Sequence, residues 1–191
     1  LTEDDWRIIA PSALPFMPHS QIPIEMGADD MREVRKQFTA AAENAAKANF
    51  DMIELHMAHG YLLSSFISPY TNQRQDDYGG SVEKRMRFPL EILSAVRKIW
   101  PQEKPVAVRI SATDWVEGGL AETEMLKVAY LLKEAKVDII NVSTGQVTKK
   151  ERPIYGRMFQ LPFADQIRNE IRIPTIVAGN FTSADQANTA I

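Results

Sequence analysis

The chain has 191 residues, 45% apolar and 25% charged, which suits one domain of ordinary size with a core of its own. Its net charge of -3 and the lack of any basic run argue against a nucleic-acid partner, and the absence of cysteine excludes disulfides, thiolate zinc sites and a cysteine nucleophile. No apolar stretch approaches the roughly 20 residues of a membrane span and no signal peptide opens the chain, so a soluble cytoplasmic protein without a membrane partner is expected.

Residues 1–28 are proline-rich and read as irregular, as in "APSALPFMPHSQIP". From Asp29 the pattern turns helical: "DDMREVRKQFTAAAENAAKAN" places Met31, Val34, Phe38, Ala41, Ala42 and Ala45 at helical spacing. A short strand, "FDMIELHM", follows, then a long loop to about Ser81. Next come helix "VEKRMRFPLEILSAVRKIW", kinked at Pro89, strand "KPVAVRIS" and helix "AETEMLKVAYLLKEAK". Strand "VDIINVS", a loop, helix "PFADQIRNEI" and strand "IPTIVAG" complete the series. Near the end, Ser183 with Gln186 three residues on reads as a capping box opening a further helix.

Four β-rich runs alternating with helices are the signature of a parallel α/β sheet. The loops leaving the strands, such as "SPYTNQRQDDYGGS" and "ATDWVEGG", are long and polar-aromatic, whereas those entering them are short. That asymmetry is how a (β/α)8 TIM barrel presents its active site. An open doubly wound sheet competes, but no glycine-rich turn follows the first strand. A whole barrel takes about 250 residues, so the expectation is a partial barrel of about four consecutive βα units. The start at Leu1 and the stop inside a helix suggest a truncated chain.

The strand end "IELHMAHGY" carries the most concentrated chemistry. Side chains alternate along a strand, so Glu54 and His56 share one face. His56 and His59 stand three apart at a strand end, which is not the helical spacing of a zinc protease. Metal, proton relay, substrate grip and hydrogen-bonded filler are the readings; two histidines and a tyrosine crowded after a strand favour a site. Two neutral imidazoles each donate one hydrogen bond, enough to polarise the oxygen of an unsaturated carbonyl or to hold a phenolate. The Tyr61 phenol suits proton delivery, or else packs in the loop. Arg109, inside "VAVRIS", needs a partner, either Glu54 within ion-pair reach or an anionic ligand. Gly179 ends "IPTIVAG" and admits a phosphate close to the backbone, or simply turns the chain. His56, Arg109, Ser143 and Gly179 should gather at the carboxyl ends of the strands.

The segment "ELHMAHGYLLSSFISPYTNQRQDDYGGSVEKRMRF" resembles the signature of the old yellow enzyme family, flavin-dependent ene-reductases on a (β/α)8 barrel. The likeness runs on through "VRISATDWVEGG", "VDIINVSTGQV" and "IVAGNF". Lys84, where the family usually has asparagine, and Asn141, where aspartate is common, depart from it. Among relatives, "PSALPFMPHSQIP", "HGYLLSSFISP" and "YGRMFQLPFADQIRNE" look most similar to the C-terminal reductase half of anthraniloyl-CoA and salicylyl-CoA hydroxylases.

The resemblance implies residues 1–191 to be part of a single FMN-binding barrel domain, with the first strands and the last strand missing. It implies FMN and NAD(P)H as cofactors, and a small unsaturated carbonyl or aryl-CoA compound as substrate. His56 and His59 match the pair that binds the substrate oxygen and Tyr61 the proton donor. Arg109 matches the arginine beside the flavin, and Gly179 a position near the FMN phosphate; no metal is implied. A dienoyl-CoA reductase relative and a non-catalytic module scaffolding a hydroxylase are the alternatives. The open strand edges of a part-barrel predict a homo-oligomer, and the isolated piece is expected to be inactive.

Overall fold

The computed structural model describes residues 6–191. The irregular reading of residues 1–5 lies outside them. Six strands form: β1 (Ile9–Ala10), β2 (Ile24–Glu25), β3 (Ile53–Met57), β4 (Val106–Ser111), β5 (Ile139–Ser143) and β6 (Thr175–Val177). Strands β3 to β6 make one sheet, all parallel and in sequence order. Six helices accompany them: α1 (Ala28–Lys47), α2 (Leu62–Ile67), α3 (Val82–Arg97), α4 (Glu122–Glu134), α5 (Leu161–Gln166) and α6 (Ala184–Ala190). Each strand of the larger sheet is followed by helix, so the expected four βα units of a part-barrel are present.

Strand alternation divides the sheet into two chemically different faces. Leu55, Met57, Val108, Ile110, Ile140 and Val142 point outward into the helical layer, all nearly inaccessible. Helix α3 packs against α1, α2 and α4 and buries Met86, Phe88, Ile92, Leu93 and Val96 completely or nearly so. Each such side chain contributes about 1.5–3 kcal/mol of transfer free energy. Ser81 caps this helix by accepting from the Lys84 N–H at 3.4 Å, and Pro89 lies within it without ending it. The inner face carries Glu54, His56, Arg109, Ser111, Asn141 and Ser143. Register places His56, Arg109, Asn141 and Ile176 on one row across the four strands.

Three features differ from the sequence reading. The proline-rich segment is not wholly irregular, because Ile24 N–H and Met26 N–H donate to the Ile8 and Ala10 carbonyls, both at 3.0 Å, closing the parallel β1–β2 pair. The loop after β3 contains α2, whose Leu63 to Ile67 are all buried. Helix α5 continues as a π-turn over Ile167–Ile171 and ends at Arg172 in the left-handed region. The expected capping of α6 is present in altered form: Ser183 accepts from Gln186 N–H, but the Gln186 side chain accepts from Thr182 N–H at 2.7 Å.

Candidate active site at the carboxyl ends of the strands

His56 is the next-to-last residue of β3 and Ser143 the last of β5, Arg109 lies two residues before the end of β4, and Gly179 follows β6 by two. The four therefore gather at one rim, as expected. Past β3 the chain reverses through His59 (φ 61°) and Gly60 (φ 70°), both left-handed. Only glycine fits the second position, since a Cβ there would stand 2.5 Å from the Gln146 carbonyl oxygen. The strained His59 backbone is held from two neighbouring strands. Its N–H donates to Ser111 Oγ at 3.0 Å, and Ser111 in turn donates to the Gly145 carbonyl at 3.1 Å. Its ring Nε2 lies 2.6 Å from Ser143 Oγ.

This turn brings three rings together. The His56 ring stands 5.2 Å from that of His59, edge to face, and 5.0 Å from that of Tyr61. Tyr61 sits at the N-cap of α2 and is 63% exposed, so its ring is open to solvent beside the histidines. Burial lowers the pKa of His59 to about 4, helped by the positive charge of Arg109 and by His56. Burial also lowers that of His56, again with Arg109, and Glu54 partly opposes the shift. Both imidazoles are therefore neutral near pH 7. They are not equivalent: His59 is tied to Ser143, whereas His56 keeps a buried Nδ1 without a hydrogen-bond partner.

The expected Glu54–Arg109 ion pair does not form. Register sets Glu54 opposite Ala107 and Arg109 opposite His56. The small Ala107 lets the Asn141 amide reach across β4 and donate to Glu54 at 2.8 Å. Arg109 is left with its Nε buried and unpartnered. Trp115 Nε1 and Gln160 Oε1 share that condition, and with His56 Nδ1 they are the unsatisfied buried side-chain polar atoms among the described residues. Leaving such an atom unpaired costs about 1–3 kcal/mol. Arg109, Trp115 and Gln160 all line one cavity of about 270 Å³, with His59, Ser143 and Gly179 also in its wall. The cavity wall is thus built largely from polar and charged residues, with the unpaired atoms themselves shielded from solvent.

Trp115, Gln160 and Ser111 were not singled out by the sequence as ligand contacts. Ser111 was legible in principle, because "VRIS" and "INVS" end alike on the inner face. Trp115 was not: it turns inward through a left-handed backbone (φ 52°) within an irregular loop. Gly179 (φ 105°) keeps the wall open at β6, where a Cβ would press the Phe159 ring at 3.0 Å. Among the described residues no group of three or more histidines, aspartates and glutamates is placed to hold a metal ion. Nor is any helix long and apolar enough to cross a membrane.

Consecutive parallel βα units with polar side chains at the carboxyl rim define part of a TIM barrel. Residues 9–191 match the NADH:flavin oxidoreductase / NADH oxidase family, and the chain belongs to that family, which includes the old yellow enzymes. It is 45% identical over 186 residues to an NADPH dehydrogenase of a Geobacillus species, covering 97% of this chain and 54% of that protein. It is 43% identical over 172 residues to an NADPH dehydrogenase of Clostridium acetobutylicum, covering 90% and 50%. The chain thus spans about half the length of these curated relatives. Among solved structures it is similar to 2-naphthoyl-CoA reductase in complex with 2-naphthoyl-CoA, at 26% identity and TM-score 0.87, covering 96% of this chain and 29% of that one. Morphinone reductase is similar at 25% identity and TM-score 0.77, covering 98% and 54%.

Proposed function

We propose that residues 1–191 are the substrate-gripping part of a single FMN-binding barrel domain in an NAD(P)H-dependent ene-reductase. The observation that carries this is the polar cavity lined by His59, Arg109, Trp115, Ser143, Gln160 and Gly179, at the rim where the His56 and Tyr61 rings also stand. These residues fit a flavin in kind. Arg109, without a carboxylate, offers a positive charge to an electron-rich ring edge, and Gly179 offers backbone without a side chain. When bound, FMN supplies the hydride, drawn from NAD(P)H.

The chain's own residues supply the polar half of the reaction. His56 donates a hydrogen bond to the carbonyl oxygen of an α,β-unsaturated substrate, so that negative charge developing there is stabilised. His59 is fixed by Ser143 and sets the shape of the oxygen site. Tyr61 gives its proton to the α-carbon while hydride arrives at the β-carbon, which saturates the double bond. An aryl-CoA compound is the finer substrate reading, supported by the resemblance of several sequence phrases to the aryl-CoA hydroxylases and by the likeness to a 2-naphthoyl-CoA reductase. The whole protein is read as a homo-oligomer.

The test uses the full-length parent protein. It should purify yellow, bleach when NADH or NADPH is added without oxygen, and regain its colour on addition of 2-cyclohexenone. A colourless protein, or one that NAD(P)H does not bleach, would favour a scaffolding module instead.

A further inference from the structure

A second cavity, of about 750 Å³, opens on the other side of Tyr61. Pockets for small ligands run to roughly 300–1,000 Å³, so its size is that of a binding site. Three separate segments build it. The proline-rich segment gives Leu14, Phe16 and Met17; the turn and helix after β3 give Tyr61 and Leu62; the loop after β5 gives Val147 and Lys150. Leu14, Phe16 and Met17 are each nearly half exposed, an arrangement that a free chain would collapse to shield.

Here the wall is prevented from collapsing. Prolines 11, 15, 18 and 23 restrict its backbone. Arg74, whose side chain is 8% exposed, donates to the Pro11 carbonyl at 3.1 Å and to the Met26 carbonyl at 2.9 Å, gripping the segment at both ends. Gln73 N–H donates to the buried Ser12 hydroxyl at 2.9 Å. The cavity is therefore a shaped apolar space. Its rim is cationic: Lys150 lines it, and Lys149 Nζ stands 5.6 Å from the centre of the Phe16 ring. Neither lysine takes part in an ion pair among the described residues, and the adjacent Glu151 accepts instead from Gln146 N–H.

From this geometry we infer that the cavity binds the apolar body of an extended substrate, with Lys149 and Lys150 holding an anionic group on its outer end. Tyr61 and Gly60 belong both to this wall and to the histidine turn, so the reactive double bond lies at Tyr61 and the rest of the molecule runs outward. The inference rests on the reading of Tyr61 and His56 as the reacting end. It defines the substrate as an unsaturated thioester or ketone with an aryl or alkyl body and a phosphate or carboxylate handle.

The test compares three enones on the full-length protein and measures binding by calorimetry: 4-carboxybenzalacetone, whose phenyl ring stands between the double bond and a carboxylate, uncharged benzalacetone, and 2-cyclohexenone, which has no such body. The double variant Leu14→Ser/Phe16→Ser should weaken binding of the first two by at least about tenfold. It should lower the ratio of their kcat/KM to that for cyclohexenone by a similar factor. Lys149→Glu/Lys150→Glu, at two exposed positions, should weaken 4-carboxybenzalacetone but not benzalacetone. Wild-type protein that fails to bind 4-carboxybenzalacetone, or variants that bind it as wild type does, would overturn the inference. If 4-carboxybenzalacetone binds in the way described but no enone is reduced, the cavity stands and the ene-reductase reading falls.

Discussion

His56, His59 and Tyr61 are held differently although they lie within six residues. His59 is the constrained member: its backbone is left-handed and its ring is fixed on Ser143. Its proton equilibrium can be read in stability. Folded His59 takes a proton only below about pH 4, whereas the unfolded residue does so near 6.5. Between those values the unfolded chain binds more protons, so stability is full above about pH 6.5 and is lost as pH falls towards 4. His59→Asn should flatten this part of the acid limb, seen as a smaller fall in Tm between pH 7 and 4.5. An unchanged slope would assign the acid sensitivity to other groups. Tyr61 is proposed to act on the chemistry instead. Tyr61→Phe should leave reduction of bound flavin by NAD(P)H at wild-type speed and slow its reoxidation by an unsaturated carbonyl by roughly 10²–10⁴. Rapid mixing of the two half-reactions checks this, and an unaffected second step would place the proton donor elsewhere.

At the scale of elements, the long segment between β3 and α3 is ordered by one arginine. Arg85 is 3% exposed and donates to the Ile67 carbonyl at 2.7 Å, the Gly80 carbonyl at 2.5 Å and Glu124 at 2.7 Å, joining α2, the loop and α4. Asp114 adds a second tie, accepting from Ser68 Oγ at 2.6 Å and from Leu120 N–H at 2.7 Å. Removing one partner of a buried pair costs about 3–5 kcal/mol, and Glu124 is partly exposed, so Arg85→Met should cost near the lower end. Lysine should not rescue it, because one ammonium cannot reproduce the fork. Chemical denaturation of the three proteins decides, and a Lys variant as stable as wild type would refute the argument. Nothing in the sequence reading indicated this anchoring. The four strands were legible because β-branched runs alternate with long amphipathic helices, and the inner face of Glu54, His56 and Arg109 followed from a period of two. Alternation identifies a face but not a rung. The pairing register set Arg109 beside His56 rather than Glu54, and the sequence carries no signal for that offset. Helix α2 has too few residues to show a period, and the β1–β2 ladder spans two residues on each side. The unpaired atoms of Trp115 and Gln160 depend on loop conformation, which local pattern does not encode.

Among the described residues the four-stranded sheet has two free edges. Among those residues β3 pairs only with β4 and β6 only with β5, so the outer sides of both present unpaired N–H and C=O groups. The inner face is also incompletely covered, with Ile176 36% and Glu54 largely exposed on what a closed barrel would enclose. In the relatives, roughly twice as long as this chain, further sequence is available to cover such surfaces. Expressed by itself, the 191-residue chain should associate with copies of itself through these edges, because edge pairing satisfies backbone groups and buries apolar area together. Light scattering should give a mass above that of one chain, increasing with concentration. Charge placed on the edge strand β6, as in Ile176→Lys, should reduce the association by setting like charges against each other. The full-length protein, in which the sheet can close, should not share this dependence on Ile176. A monodisperse monomer of the short chain at micromolar concentration would show that the free edges are protected by the chain itself, and the argument from open edges would fail.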